Sequence, residues 1–426
     1  MKKTHILMSI ATLGLLFCNI SNALSLQETI RHTLQTNPEV LASLNEYESR
    51  KFEVKEARAG YLPTVQVDAG IGKEERRAAS TGDQEIDLDR LELGISARQL
   101  VFDGFATKNE VERQKARLET SFHQIKVVSE DVALEAASAY LEVLKQNELM
   151  LLAQSTLKEH ENIYEQMKLR NDQGVGNRAD LDQIGARLAL ANTNVFVAQN
   201  NFADSKVTFY RLTGTYPKID EMVKPDLVDE LPSSQKEAVN FALKNHPTLA
   251  SATADVRATK AQYDAAGSQH WPVVHLEAEK RWDEDVGVPG DDEDLVVALR
   301  LTYDLYRGGA NKARRKQTAY QIEEAKDVRS NARRQVIESM NLSWNAYQAF
   351  KSQKIFLDNH VESAKSAREA YSKQFNIGRR TLLDLLNTET EVVEATRASI
   401  NAEHDIVFSA YRILHSAGEL TRTLGI

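Results

Sequence analysis

Gly174-Val-Gly176-Asn-Arg-Ala179 matches the relaxed dinucleotide pattern G-x-G-x-x-A, which cradles a pyrophosphate only where it follows a β-strand and opens a helix. Here it lies between two long helical stretches. Its glycines therefore read as left-handed residues that turn the chain at a helix C-terminus, and Asn376-Ile377-Gly378 reads the same way. The ten histidines are scattered and Cys18 is the only cysteine, so neither a metal site nor a cofactor is expected. No P-loop, H-E-x-x-H or G-x-S-x-G pattern occurs, and no constellation supplies a nucleophile or base, so an enzyme is not expected. The acids just past the two turns remain, in Asp180-Leu181-Asp182 and Leu383-Asp384-Leu385-Leu386-Asn387. Acids at helix N-termini gain about 0.3–1 kcal/mol each from the helix dipole, which accounts for them structurally. Their functional alternative needs symmetry: if the turns form the end of a tube, each aspartate becomes a ring of negative charge at its mouth.

The elements that would hold such a mouth are long. Residues 105–173 form a run of 69 without glycine or proline, and 310–377 a second run of 68. At about 1.5 Å per residue, each predicts a helix of roughly 100 Å. In the first, Leu118, Phe122, Ile125, Val132, Ala136, Ala139, Val143, Met150, Ala153 and Leu157 recur at steps of three and four. That period belongs to helices packed side by side with a left-handed supercoil. A second stripe through Val127, Leu134, Ala137, Leu141, Leu144 and Leu151 gives the helix two neighbours, as in a bundle or a closed ring.

Four shorter stretches alternate. Val65, Val67, Ala69 and Ile71 oppose Thr64, Gln66 and Asp68; Leu91, Leu93, Ile95 and Ala97 oppose Arg90, Glu92, Ser96 and Arg98. Val274, Leu276, Ala278 and Trp282 oppose His275, Glu277, Glu279 and Arg281, and Leu295, Val297, Leu299 and Leu301 oppose Arg300 and Thr302. One apolar and one charged face suits a barrel with lipid outside and water within, although a soluble sheet covered on one side alternates too. The charged segments Lys73 to Asp87 and Asp283 to Asp294 read as water-exposed loops. Four strands cannot enclose water, so closure needs several chains, and three copies would give twelve strands and twelve helical columns.

Lys2 and Lys3, the apolar run Ile6 to Ile20 and Ser21-Asn22-Ala23 read as a secretory signal peptide over residues 1–23. Losing those two lysines takes the formal net charge from −9 to −11, which leaves no electrostatic case for nucleic acid.

The rest is one unit written twice. Ser25 to Glu28, Asn37-Pro38 and Pro63 recur as Ser234 to Glu237, His246-Pro247 and Pro272, each 209 residues on. Both quartets read as capping boxes. Phe102-Asp-Gly104 recurs as Tyr306-Arg-Gly308 at an offset of 204, and Gly176, Asp182 and Tyr210 pair with Gly378, Asp384 and Tyr411. The first repeat spans 24–214, with strands near 62–73 and 88–102 and long helices near 104–173 and 179–213. A proline-dotted linker covers 215–233. The second repeat spans 234–426, with strands near 272–282 and 294–306 and helices near 309–376 and 380–420.

Together, the duplicated unit, the strand-to-helix glycines Gly104 and Gly308, and the turn Gly378-Arg-Arg-Thr-Leu-Leu-Asp384 resemble the TolC family of outer-membrane channel-tunnels. Phe102 to Arg113 and Ala179 to Gln183 look most like its type I secretion branch, which includes agglutination and large-adhesin exporters. The resemblance implies a mainly α protein with a transmembrane β-barrel: a homotrimer whose twelve-stranded barrel in the outer membrane of a Gram-negative bacterium continues into a periplasmic twelve-helix α-barrel. Outer-membrane lipid would surround the barrel. The implied partners are a periplasmic membrane-fusion adaptor and an inner-membrane ABC transporter, or an RND pump in the efflux alternative. By the same resemblance Asp384 matches a constriction aspartate, and Arg380 and Asp182 match partners in the network that holds the tip shut, with Asp180 beside them. Phe375 replaces a tyrosine and Asn387 a second aspartate, which implies a looser lock and a less acidic ring. Gly174, Val175, Gly176, Ile377 and Gly378 would be the hairpin tips that meet the adaptor.

Overall fold

The computed structural model describes residues 25–77, 79, 82, 84–226 and 231–426; the expected signal peptide lies outside them. In chain order the elements are α1 (Leu26–Thr36), α2 (Pro38–Ala59), β1 (Thr64–Arg77), β2 (Glu85–Phe102), α3 (Ala106–Asp172) and α4 (Arg178–Thr213). After the linker come α5 (Gln235–Asn245), α6 (Pro247–Gly267), β3 (Val273–Glu284), β4 (Asp291–Thr302), α7 (Ala310–Asn376), α8 (Leu382–Ala417) and the single turn α9 (Leu420–Thr423).

The two rods are equal: α3 and α7 have 67 residues each, and α4 and α8 have 36 each. Equality corrects the alignment of the repeat. Every helix boundary from Ala106 to Thr213 recurs 204 residues later, and so do the left-handed terminal glycines Gly174 and Gly378, and Gly214 and Gly418. Gly174, not Gly176, is therefore the partner of Gly378, and Asp180, not Asp182, is the partner of Asp384. The sequence pairing followed a local likeness of letters that the backbone does not follow.

β1 to β4 form one antiparallel sheet in chain order, which leaves β1 and β4 each with an edge that no strand among the described residues pairs. Register places Val67 opposite Ile95, Ile71 opposite Leu91 and Leu276 opposite Leu299, so the apolar residues share one face. That face is bare: Ile71 is 88% and Leu299 68% exposed. Lys280 also falls on it, opposite Ile95 and Leu295, where it pairs with Glu293 and lies 5.3 Å from the Trp282 ring. Among the described residues, no helix is long and apolar enough to cross a membrane.

Five strand boundaries differ from expectation. Lys73 to Arg77, Glu85 to Asp87, Asp283, Glu284 and Asp291 to Asp294 are paired strand, not loop, because ladder hydrogen bonds do not depend on side-chain polarity. Ion pairs Lys73–Asp89 (3.1 Å) and Arg90–Glu74 (3.0 Å) join the two strands there. β4 stops at Thr302, not near 306, because its partner β3 begins at Val273, directly after Pro272, which has no amide to donate. The last long helix breaks at Gly418 (φ 72°) before reaching 420.

α3 is the common wall. Its buried Ala133, Ala136, Ala137, Tyr140 and Val143 pack with Leu26, Ile30, Phe209, Leu212, Val407, Tyr411 and Leu414 in a girdle at mid-rod. Tyr140 also pins the linker, donating from its hydroxyl to Val223 O (2.7 Å) and accepting from Val223 N (2.9 Å). Buried Glu130 caps α9, accepting from Leu420 N (2.8 Å), Thr421 N (3.0 Å) and Thr421 Oγ1 (2.6 Å). Of the two expected capping boxes, Ser25–Glu28 is complete, but the second is half made. Ser234 accepts from Glu237 N, while the Glu237 carboxylate turns to Ser233.

The strand-to-helix glycines differ in need. Gly104 (φ 66°) has no room for a side chain, since a Cβ would meet Ser268 O and Trp271 Cβ at 2.7 Å each. Gly308 (φ 60°) has open space around it and is required only by its backbone angle.

Candidate functional site

The rods end in two turns of the same backbone design. Val175 N donates to Arg170 O (3.0 Å) and Arg379 N to Gln374 O (2.9 Å), each closing a helix end over a left-handed glycine. Gly174 and Gly378 both have φ near 77°, at 78° and 76°. Gly176 is needed for space, because a Cβ there would sit 2.7 Å from Asn171 N. Both glycines of the apparent nucleotide motif are thus consumed by the turn. Val175 (76% exposed) and Ile377 (67%) crown the two tips.

Side-chain chemistry then separates them. At the second turn Thr381 and Asp384 form a reciprocal box: Thr381 N and Oγ1 donate to Asp384 Oδ2 (3.2 and 2.9 Å), and Asp384 N donates to Thr381 Oγ1 (3.2 Å). These bonds, with the nearby Arg380 guanidinium contributing less, hold the Asp384 carboxyl below the usual range. Arg380 donates to Gln374 Oε1 (3.1 Å), lies 3.9 Å from Asp384 and stacks 4.3 Å from the Tyr371 ring. At the first turn the Asn177 side chain accepts from Ala179 N (3.0 Å) and, among the described residues, from no other donor. Asp182 pairs with Arg178 at 3.2 Å on open surface, and no hydrogen bond or ion pair among the described residues engages the Asp180 carboxylate or joins Asp182 to Arg380.

Beneath the turns Ile163 and Met167 of α3, Ile184 of α4, and Leu382, Leu385 and Leu386 of α8 form one apolar cluster. Phe375 is part of it, buried and capped by the Arg170 guanidinium 4.9 Å from its ring. Its position is packing within the chain. Asn387 is exposed. Above the cluster, Arg368 of α7 spans Glu159 of α3 (3.0 Å) and Glu389 of α8 and ties the two hairpins together.

Sequence reading missed Thr381, Arg178 and the Arg368 clasp. The first was legible, since Thr381-x-x-Asp384 before an apolar run is a box signature. The clasp joins residues from three elements and leaves no local pattern.

The profile of the family described as outer membrane efflux protein matches residues 29–215 and 238–419. The outer membrane efflux protein BepC of Brucella suis is 25% identical over 77% of this chain and 72% of its own. The outer membrane protein TolC of Escherichia coli is 22% identical over 95% of this chain and 84% of its own. The alkaline protease secretion protein AprF of Pseudomonas aeruginosa is 21% identical over 93% of this chain and 85% of its own. Among solved structures, the outer-membrane channel OprN superposes with a TM-score of 0.82 at 17% identity, covering 92% of this chain and 89% of OprN. VceC of Vibrio cholerae gives 0.80 at 17% identity, covering 92% and 96%.

Proposed function

The chain belongs to the outer membrane efflux protein family, and from that premise we propose that it is the exit duct of a tripartite type I secretion system. It is an outer-membrane channel protein with a periplasmic helical extension, and the finer assignment concerns what passes through. The observation that carries the duct reading is the open sheet: two unpaired edges, one bare apolar face and one charged face, continuous with two rods. Three copies paired edge to edge close a twelve-stranded barrel, whose charged faces line the lumen. Its energy comes from elsewhere, with an inner-membrane ABC transporter driving the cargo and a periplasmic adaptor gripping the Val175 and Ile377 tips. The protein performs no catalysis of its own.

At the mouth, Asp384 from each protomer faces the axis as an acidic ring, with Arg380 beside it. Asp180 and Asp182 belong to the outer hairpin, and Asn387 adds no second charge. Support for protein cargo comes from the Phe102 to Arg113 and Ala179 to Gln183 segments, and from the similarity to AprF, named for alkaline protease secretion. The second reading is small-molecule efflux, favoured by the similarity to BepC, named as an efflux protein. A deletion strain separates them. Loss of one or a few large proteins from medium and cell surface, with unchanged susceptibility to detergents, dyes and antibiotics, is the expected result. Hypersensitivity with an intact secretome would move the assignment to efflux, and both together would mean a duct shared by two pumps.

A further inference from the structure

At the top of α7, Lys312, Arg315, Lys316 and Ala319 recur at i, i+3, i+4 and i+7 and so share one helix face. With Tyr263 of α6 and His270 just beyond it, they line a cleft of about 370 Å³. The cleft is cationic without compensation. Neighbouring ion pairs along the chain are Arg307–Asp304 and Lys326–Glu323, and among the described residues no carboxylate pairs with the three cations between them. Arg315 is held in place: its Nε donates to the Tyr263 hydroxyl (3.1 Å) and its guanidinium lies 5.3 Å from the Tyr263 ring. Among the described residues no acceptor engages its two terminal nitrogens, which are left for an outside one. The matching place in the first repeat lacks two of the three cations, since the positions of Arg315 and Lys316 are taken by Val111, which is buried, and Glu112, which pairs with Lys115 at 2.7 Å.

Depth and direction identify the ligand. Trp271, Tyr303, Leu305 and Tyr306, all exposed at 48% or more, collar the strand ends and mark the edge of the hydrocarbon layer. Lys312 and Lys316 stand two and six residues below the start of α7, hence about 3 and 9 Å beneath it. The headgroup layer extends about 5–8 Å beyond the hydrocarbon on each side. The cleft also faces outward. Asn341, 25 residues below Lys316 and so about seven turns down the same face, accepts a hydrogen bond from Gln235 of α5 (2.9 Å). α5 cannot lie within the duct without plugging it.

We propose that this cleft binds the phosphodiester of a glycerophospholipid in the periplasmic leaflet of the outer membrane, with anionic headgroups favoured. The inference rests on the outer-membrane position and is independent of the cargo. Its test is native mass spectrometry of the full-length trimer released from nanodiscs of phosphatidylcholine containing phosphatidylglycerol. The wild type retains phosphatidylglycerol, and occupancy falls about fivefold per cation removed in Lys316→Gln and in the triple variant Lys312→Gln, Arg315→Gln, Lys316→Gln. The exposed pair Arg333→Gln, Arg334→Gln, farther down the same helix, serves as control and retains it. Equal retention in all four proteins would overturn the proposal. So would displacement of the bound lipid by inorganic phosphate, which would make the cleft a free-anion site. If the triple variant does not assemble, Lys316→Gln alone decides, and unchanged occupancy there would refute it.

Discussion

The two hairpin turns share a backbone and differ in how firmly side chains hold it. Duplication has kept the left-handed glycine and the bond across it in both copies, because a chain reversal between long helices demands them. At the second turn Thr381, Asp384, Arg380, Gln374 and Tyr371 interlock, whereas the first has one cap and one exposed pair. The same divergence recurs at mid-rod. Asn37 caps α2 by accepting from Glu39 N (2.8 Å), while its counterpart His246 caps α6 by accepting from Thr248 N through Nδ1 (3.2 Å). One copy is thus insensitive to pH where the other titrates, and one tip is rigid where the other is compliant. A duct that must open at one end can use such asymmetry: on the proposed reading, the interlocked turn would carry the mouth and the looser one would accommodate a partner.

The largest expected difference between the copies is one of pH. Burial, with His415 nearby adding to it and Asp131 opposing, pushes the His246 imidazole down to about 4. Folded, it stays neutral where the unfolded chain, with an ordinary value of 6.5, binds a proton; stability is therefore full above 6.5 and falls as pH drops toward 4. The loss is about 3 kcal/mol. Hydrogen exchange at the start of α6 should quicken over that window in the wild type and not in His246→Asn, while the start of α2 stays constant. Next in size, Gly176→Ala forces a Cβ against Asn171 N and should cost about 2–3 kcal/mol in local opening of residues 170–182. Gly378→Ala, with open space but a positive φ, should cost about 1–2 kcal/mol. Equal effects would mean that the first turn relaxes around the clash. Smallest is the cap difference: Thr381→Ala should loosen its turn by about 1–2 kcal/mol and Asn177→Ala by about 1 kcal/mol, again read by exchange.

Much of this architecture was legible because helix breakers are informative by their absence. Two glycine- and proline-free runs located both rods to within a residue or two, and alternation located four strands. Strand ends were harder. Lys73 to Arg77 look like loop to a polarity argument, yet pairing with Asp89 and its neighbours extends the ladder. The pairing of the two tips went astray for a different reason: Asp182 and Gly176 resemble Asp384 and Gly378 in letter and rough position, and only equal helix lengths reveal a constant offset. Glu130 was invisible, since its three partners lie about 290 residues away in the chain and a glutamate on a polar helix carries no mark of burial. Phe375 was legible as a position but not as a role, because only packing against Ile163, Met167 and Leu385 shows it turned inward.

The most direct test is the ion selectivity, in single-channel recordings, of the channel in its proposed closed trimeric state, with Asp384→Asn set beside Asp180→Asn. If the second turn carries the mouth, Asp384→Asn lowers cation preference and Asp180→Asn, at the equivalent position of the first turn, changes it little. An unchanged preference in Asp384→Asn, or an equal loss in both, would contradict the assignment of the mouth to the interlocked turn.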